Sequence, residues 1–469
     1  MKYCSTRGGF KGLSFEEAVF AGFKSDGGIL LPESIPKVEP ATLKSWAKLS
    51  YPELVKKIVP LFISEEEIPR DDIDGILDKA FAQFSFPEVV KIARLSNGLN
   101  ILEMFHGKTL AFKDLAMSCV GQFIDYFLNK RKRHVTILVG TSGDTGSAAI
   151  ESVRGQTWVD IVVTLPRDRC SKIQELMMTT VIEDNVHIYR VDGTSDDMDV
   201  PIKNLFMDES FSTRTSLISI NSINWTRILI QTAHYFYCYL QMCPSCDDTV
   251  EIVVPTGALG NTSSGVIAYM MGLPIEITCA VNVNDIVART MKSGDFSVSG
   301  DVIPTIAPAM DIQVPYNMER LLYLFTEGNT AEVNTIMTEM EKSNKVAIPE
   351  NIMKKLQKVV SNSHVATDED IKTTMKGVWE SDKYLLCPHT ATAANYHVTK
   401  GKSDRPSICL ATASPAKFEE AVKACGLVPQ PTEDVKKLFD KKTKFIDLER
   451  SDNWEKIIRE KIEQINKSS

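Results

Sequence analysis

Two hydrophobic periodicities divide the chain. Up to residue 95 apolar positions recur at helical spacing. Leu43, Trp46, Ala47, Leu54 and Ile58 fall on such a pattern, with Pro52 breaking or restarting the helix, and Ile73 to Phe81 adds a second amphipathic piece. Pro87 and the Asn97-Gly98 turn then punctuate the chain. Beyond that point short β-rich runs alternate with helical stretches. The runs Val135 to Val139, Ile161 to Leu165, Val186 to Tyr189, Leu217 to Ile220, Val250 to Val254, Ile275 to Val281 and Ile408 to Ala411 are predicted strands. Ser147 to Val153, Lys172 to Thr180, Ile223 to Leu240 and Thr262 to Met271 are predicted helices between them. Such alternation implies βαβ units and an α/β fold with mostly parallel sheets. Ligands of such sheets bind beyond the carboxyl ends of the strands, so the loops there are the place to look for chemistry.

Two of those loops suit anions. Gly140-Thr141-Ser142-Gly143-Asp144-Thr145-Gly146 runs from a strand into a helix, and so does Pro255-Thr256-Gly257-Ala258-Leu259-Gly260-Asn261. Glycine lets backbone approach a ligand, hydroxyls donate, and the helix N-terminus adds amides and a positive dipole end. Neither loop fits the dinucleotide or nucleoside-triphosphate spacing. One Gly-rich turn alone is an ordinary βα connection, whereas two suggest two phosphates, one of a cofactor and one of a substrate. A third segment, His106 to Asp114, places Lys113 between apolar Leu110-Ala111-Phe112 and Leu115-Ala116-Met117. A lysine withdrawn from water loses proton affinity and becomes an amine nucleophile or base. By itself it also reads as a surface lysine paired with Asp114. Joined to two anion loops it suggests pyridoxal-phosphate chemistry.

The set of motifs resembles the threonine synthase family. His106 to Asp114 is similar to its cofactor-lysine segment, Thr141 to Gly146 and Pro255 to Asn261 to its two loops. Tyr3 to Gly8, Ser219 to Trp225, Ala309 to Val314, Pro388 to Ala391 and Ala411 to Phe418 occur in the family's order. The resemblance implies a fold-type-II pyridoxal-phosphate enzyme, with an N-terminal helical region over 1–95. A smaller α/β lobe over 96–240 and a larger one over 241–469 would enclose the cofactor. It implies that Lys113 holds pyridoxal 5'-phosphate as a Schiff base. Gly257, Ala258, Leu259, Gly260 and Asn261 would then cradle the cofactor phosphate, and Thr412 would lie near the pyridine nitrogen. Thr141, Ser142, Asp144, Thr145, Ser222, Asn224 and Arg227 would serve the substrate, Arg227 through its bidentate fork. His106 and His389 receive no role.

Departures from the family pattern bear on the reaction. Ala258-Leu259 stands where many members have Asn-Phe, Lys108 where proline is common, Cys387 where an acid often precedes Pro-His-Thr, and Ser414 where histidine often stands. The detailed similarity is to the vertebrate threonine-synthase-like branch. That branch implies a phospho-lyase acting on O-phosphohomoserine or O-phosphothreonine, giving 2-oxobutyrate, ammonia and phosphate. A true threonine synthase and a catalytically silent cofactor-binding protein remain as alternatives.

Composition narrows the partners. A net charge of −8 argues against nucleic acid and means that an anionic substrate needs a local basic or amide-lined pocket. No run approaches the roughly 18 apolar residues of a membrane span, and the polar start lacks a signal-peptide core, so a cytoplasmic location is expected. The ten cysteines read as reduced thiols, and Cys243-Pro-Ser-Cys246 lacks the second pair of a zinc site. The expected partner is a small phosphorylated amino acid, and relatives of this kind occur as monomers or as a homodimer.

Overall fold

The computed structural model describes residues 1–400 and 405–468. Two parallel-rich sheets organise it. The larger has the order Val360–Val365, Ile275–Val281, Val250–Pro255, Ser407–Ala411, Asn100–Glu103 and Lys91–Arg94, with only the last pair antiparallel. The smaller has the order Ile446–Leu448, Val186–Val191, Val159–Pro166, Val135–Gly140 and Leu217–Ile218, parallel throughout. Central strands such as Val135–Gly140 and Val250–Pro255 are buried at every position, which is why they read as continuous apolar runs rather than alternating ones.

Each sheet has a switch in strand order, and each switch carries one of the anion loops. From Val250–Pro255 the chain moves to Ile275–Val281 on one side, while Ser407–Ala411 lies on the other. From Val135–Gly140 it moves to Val159–Pro166, while Leu217–Ile218 lies opposite. A crevice opens where neighbouring connections diverge in this way.

The helix Trp225–Met242 is buried on nearly every side and packs against both Lys113–Arg131 and Gly260–Met270. It therefore couples the lysine-bearing helix to the helix after the second anion loop. The N-terminal helices Tyr51–Ile58 and Arg70–Phe81 cover this assembly and share its core. Pro52 sits at the start of Tyr51–Ile58, where no intrahelical amide is required, and Glu53 Oε2 accepts from the Ser50 amide at 2.7 Å. No helix among the described residues is long and apolar enough to cross a membrane.

The sheets do not follow the linear division at 95 and 240. Lys91–Arg94 and Asn100–Glu103 complete the larger sheet, and Ile446–Leu448 with the helix Trp454–Ser468 completes the smaller lobe. Hydrogen-bonded edges recruit strands from distant sequence, which no local pattern announces. The stretches 294–302 and 342–368, unreadable in sequence, contain mutual partners: Asp295–Ser297 pairs antiparallel with Lys345–Ala347.

Candidate active site

The cavity that gathers the predicted residues lies between the lobes. It is lined by Lys113, by Thr141, Ser142, Asp144 and Thr145 of the first loop, and by Gly257 to Asn261 of the second. Ser222, Arg227 and Thr412 complete the predicted set in its wall. The exception is Asn224. Its Oδ1 caps the helix Trp225–Met242 through the Thr226 amide at 2.9 Å, and its Nδ2 donates to the carbonyls of Val19, Ala21 and Ser219. These bonds all go to main chain, so Asn224 positions Arg227's helix and stands outside the cavity lining.

Lys113 begins the helix Lys113–Arg131 and is held by its neighbours on both sides. Asp114 folds the preceding loop back, accepting from the Thr109 hydroxyl at 2.6 Å and the Thr109 amide at 2.9 Å. The strand end at 411–414 straps it down, with the Phe112 amide donating to Thr412 O at 2.8 Å and the Ser414 amide to Leu110 O at 2.9 Å. Leu110 adopts a left-handed φ of 56°, a strained geometry kept by these bonds. Burial pushes the Lys113 amine down to about 8, helped by the charges of Arg227 and Lys417 and opposed by Asp144.

Asp144 is the anionic hub. It lies 3.9 Å from Lys113 Nζ and 2.7 Å from Lys417 Nζ, and Gln174 Nε2 donates to it at 2.8 Å. Burial pushes its carboxyl up, but Lys417 and Lys113 outweigh that and hold it well below the usual range. Lys417 is wholly buried and also donates to Thr109 O at 2.7 Å. Thr141 closes the first loop on itself, its Oγ1 accepting the amides of Gly143 at 3.0 Å and Gly146 at 2.9 Å. Ser142 and Thr145 are left facing the cavity at the N-terminus of Asp144–Val153.

The second loop is a close-approach cradle. A Cβ on Gly257 would come within 3.0 Å of Ala309 O, so a side chain there meets backbone. Leu259 takes a left-handed φ of 63° immediately before the helix Gly260–Met270. Asn261 Nδ2, Arg227 Nε and both polar atoms of Gln231 are buried without protein partners, although all three residues line the cavity. Unpaired buried polar groups are uncommon in native interiors, and these three residues bring theirs to one cavity. A lysine of depressed basicity, an amide-lined glycine loop and these open donors together fit an aldehyde cofactor bearing a phosphate.

Sequence profiles described as "Threonine synthase N terminus" and "Threonine synthase, C-terminal" match residues 2–81 and 390–459. The chain is 52% identical to Threonine synthase-like 2 of Xenopus laevis, covering 99% of each, and 48% identical to the Homo sapiens protein of that name, covering 100% of this chain and 98% of the other. The chain belongs to the threonine synthase family. Its fold superposes on the pyridoxal-phosphate-bound threonine synthase of Brucella melitensis with a TM-score of 0.90 at 36% identity, covering 99% of each chain. The yeast threonine synthase gives 0.89 at 35% identity over 100% and 99% of the two chains. The protein is a fold-type-II enzyme whose cofactor is pyridoxal 5'-phosphate, with lyase-type chemistry.

Several cavity residues escaped the sequence reading. Asp196 and Asp199 line the wall beside Tyr316. Burial, and then the charge of Asp196, pushes the Asp199 carboxyl up to about 8, and burial takes Asp196 to about 6. In sequence they resemble ordinary acids at a helix start. His389 also lines the cavity; its Nε2 accepts from the Ala309 amide at 3.0 Å, and burial lowers it to about 4, so the neutral ring carries its proton on Nδ1. His106 lies elsewhere, stacked on Phe86 and bonded to Glu103 at 2.9 Å. Of the departures from the family pattern, Cys387 Sγ accepts from the Thr390 amide and Ser414 Oγ from the Ala416 amide, so both serve as local caps.

Proposed function

We propose that this enzyme is a phospho-lyase acting on O-phosphohomoserine or O-phosphothreonine. The observation that carries the reading is one buried lysine between two anion loops, each at the switch point of its own sheet. The loop 257–261 takes the cofactor phosphate, Lys113 holds the cofactor, and Thr412 lies by the pyridine nitrogen. The substrate phosphate goes to Ser142, Thr145, Ser222 and Arg227. Burial lowers the Arg227 guanidinium to about 10, with Tyr316 opposing the shift, so it is still charged at neutral pH and offers a fork to phosphate oxygens.

When bound, pyridoxal phosphate supplies the electron sink that makes the substrate α-proton removable. The Lys113 amine takes that proton on Nζ, and Asp144 lies close enough to balance the resulting ammonium. Lys417 shares Asp144 and keeps it from raising the lysine back to its ordinary basicity. With phosphohomoserine, the departing phosphate, its charge balanced by Arg227 and the first loop's hydroxyls, takes up the β-proton as its bond to the γ-carbon breaks, and Lys113 gives its proton back to the γ-carbon. One substrate and one water give 2-oxobutyrate, ammonia and phosphate.

A synthase must instead place a water against the β-carbon, a demand that small displacements defeat. The choice of lyase rests on the changed positions 258, 259, 387 and 414 and on the higher identity to proteins named Threonine synthase-like 2 than to the 37% of the yeast threonine synthase. Product analysis after incubation with O-phosphohomoserine decides it. Phosphate with equimolar 2-oxobutyrate and ammonia is the expected result, and phosphate with equimolar threonine would overturn it.

A further inference from the structure

Gln231 is a buried amide without an assigned task. It is 1% exposed, lines the active cavity, and has no partner for either Nε2 or Oε1. An unpaired carboxamide in a core destabilises the fold unless something else satisfies it. Its helix neighbours locate it. One turn earlier is Arg227, and one turn later is Tyr235, whose hydroxyl donates to Asn261 O and approaches Asn261 Oδ1, both at 2.9 Å. His234 Nε2 also meets Asn261 Oδ1, at 2.8 Å. The helix face that carries Gln231 therefore lies against the start of Gly260–Met270. Asn261 has its oxygen locked by these contacts, leaving its own Nδ2 as a second unpartnered donor in the same wall.

Among the described residues lining the cavity, only Lys113 and Arg227 can carry a positive charge at neutral pH, since His389 is neutral there. Lys113 is committed to the cofactor aldehyde and Arg227 to the substrate. A doubly charged phosphate in the 257–261 loop is then left to backbone amides and neutral side chains.

We propose that Gln231 is a direct ligand of the cofactor phosphate, donating from Nε2 alongside Asn261 Nδ2 and the loop amides. The proposal rests on the placement of that phosphate in the 257–261 loop.

The test compares apo-enzyme binding of pyridoxal 5'-phosphate with that of pyridoxal, which forms the same bond to the lysine but lacks the phosphate. Gln231→Leu keeps the volume and removes the donor. We expect it to weaken pyridoxal-phosphate binding about tenfold or more, the usual effect of losing a hydrogen bond to a charged group. Pyridoxal binding stays unchanged, and the apo-protein melts no lower than wild type. Gln231→Glu keeps the shape but sets a carboxylate against the phosphate, so its defect exceeds that of leucine and shrinks as pH falls. Unchanged pyridoxal-phosphate affinity in both variants, or an equal loss for the two ligands, overturns the role of Gln231. Wild-type protein that fails to distinguish the two ligands removes instead the placement of the phosphate on which the role depends.

Discussion

The proposed function rests most of its chemistry on two residues, and each makes a checkable claim. Lys113 reacts with an aldehyde only as the neutral amine. Its free form titrates near 8 because burial and then the neighbouring cations oppose its charge. The rate of cofactor loading into apo-enzyme is expected to rise with pH and level off above about 8, and a midpoint near the ordinary lysine value of about 10.4 would contradict the buried setting. Arg227 is the cation available to a departing phosphate. Arg227→Lys keeps charge but loses the fork, so kcat/KM for phosphorylated substrates should fall by roughly ten- to a hundredfold while cofactor affinity holds. The sequence offered Lys113 through its apolar flanks joined to the two anion loops, and Arg227 through the family resemblance alone. Gln231, Asp196 and Asp199 gave no such signal. A glutamine in an apolar helix and acids at a helix start are commonplace, and only the surrounding cavity marks them out.

At the scale of elements, the pair Asp144–Lys417 ties the first anion loop to the 411–417 segment and, through Thr109, to the lysine loop. Asp144→Asn leaves the wholly buried Lys417 without its counterion and should cost about 3–5 kcal/mol in denaturant unfolding. The double variant Asp144→Asn, Lys417→Met should recover much of that loss while remaining inactive. Because the folded carboxyl is depressed, the stability it contributes is present above the unfolded value of about 3.9 and is lost as pH falls below it. An unfolding free energy that stays flat through that acid range would contradict the assignment. The central strands and the helices joining them were legible because both faces of a parallel sheet are covered and leave unbroken apolar runs. Strand edges were not. Val360–Val365 is half exposed and polar along much of its length, and Lys91–Arg94 buries little, so neither shows a period that singles out a strand. Helix starts ran early for a related reason: Asp144 and Gly260 open helices from loop-like, glycine-containing sequence.

Across the whole molecule, the lobes exchange chain segments as well as facing each other. The terminal helix Trp454–Ser468 packs Ile458, Ile462 and Ile465 with Leu138, Val162 and Leu205 of the smaller lobe. Ending the chain at Lys444 should expose that cluster and abolish folding of the lobe that bears the first anion loop, seen as loss of a cooperative melt together with loss of activity. The N-terminal segment is fastened to the larger lobe. Arg7 bonds Glu319 and Glu341 of the larger lobe's helices, and Lys203 of the smaller lobe meets Glu341 at 2.7 Å. The family's opening motif is thus held on the larger lobe, beside the Lys203–Glu341 contact that links the two lobes. On the proposed function, Lys113 carries the cofactor in the cavity that both lobes line. Borohydride reduction of the cofactor-loaded enzyme, with peptide mapping of the product, tests this most directly. Stoichiometric pyridoxyl label on Lys113 is the predicted result, whereas label on another lysine, or none that survives reduction, would contradict it.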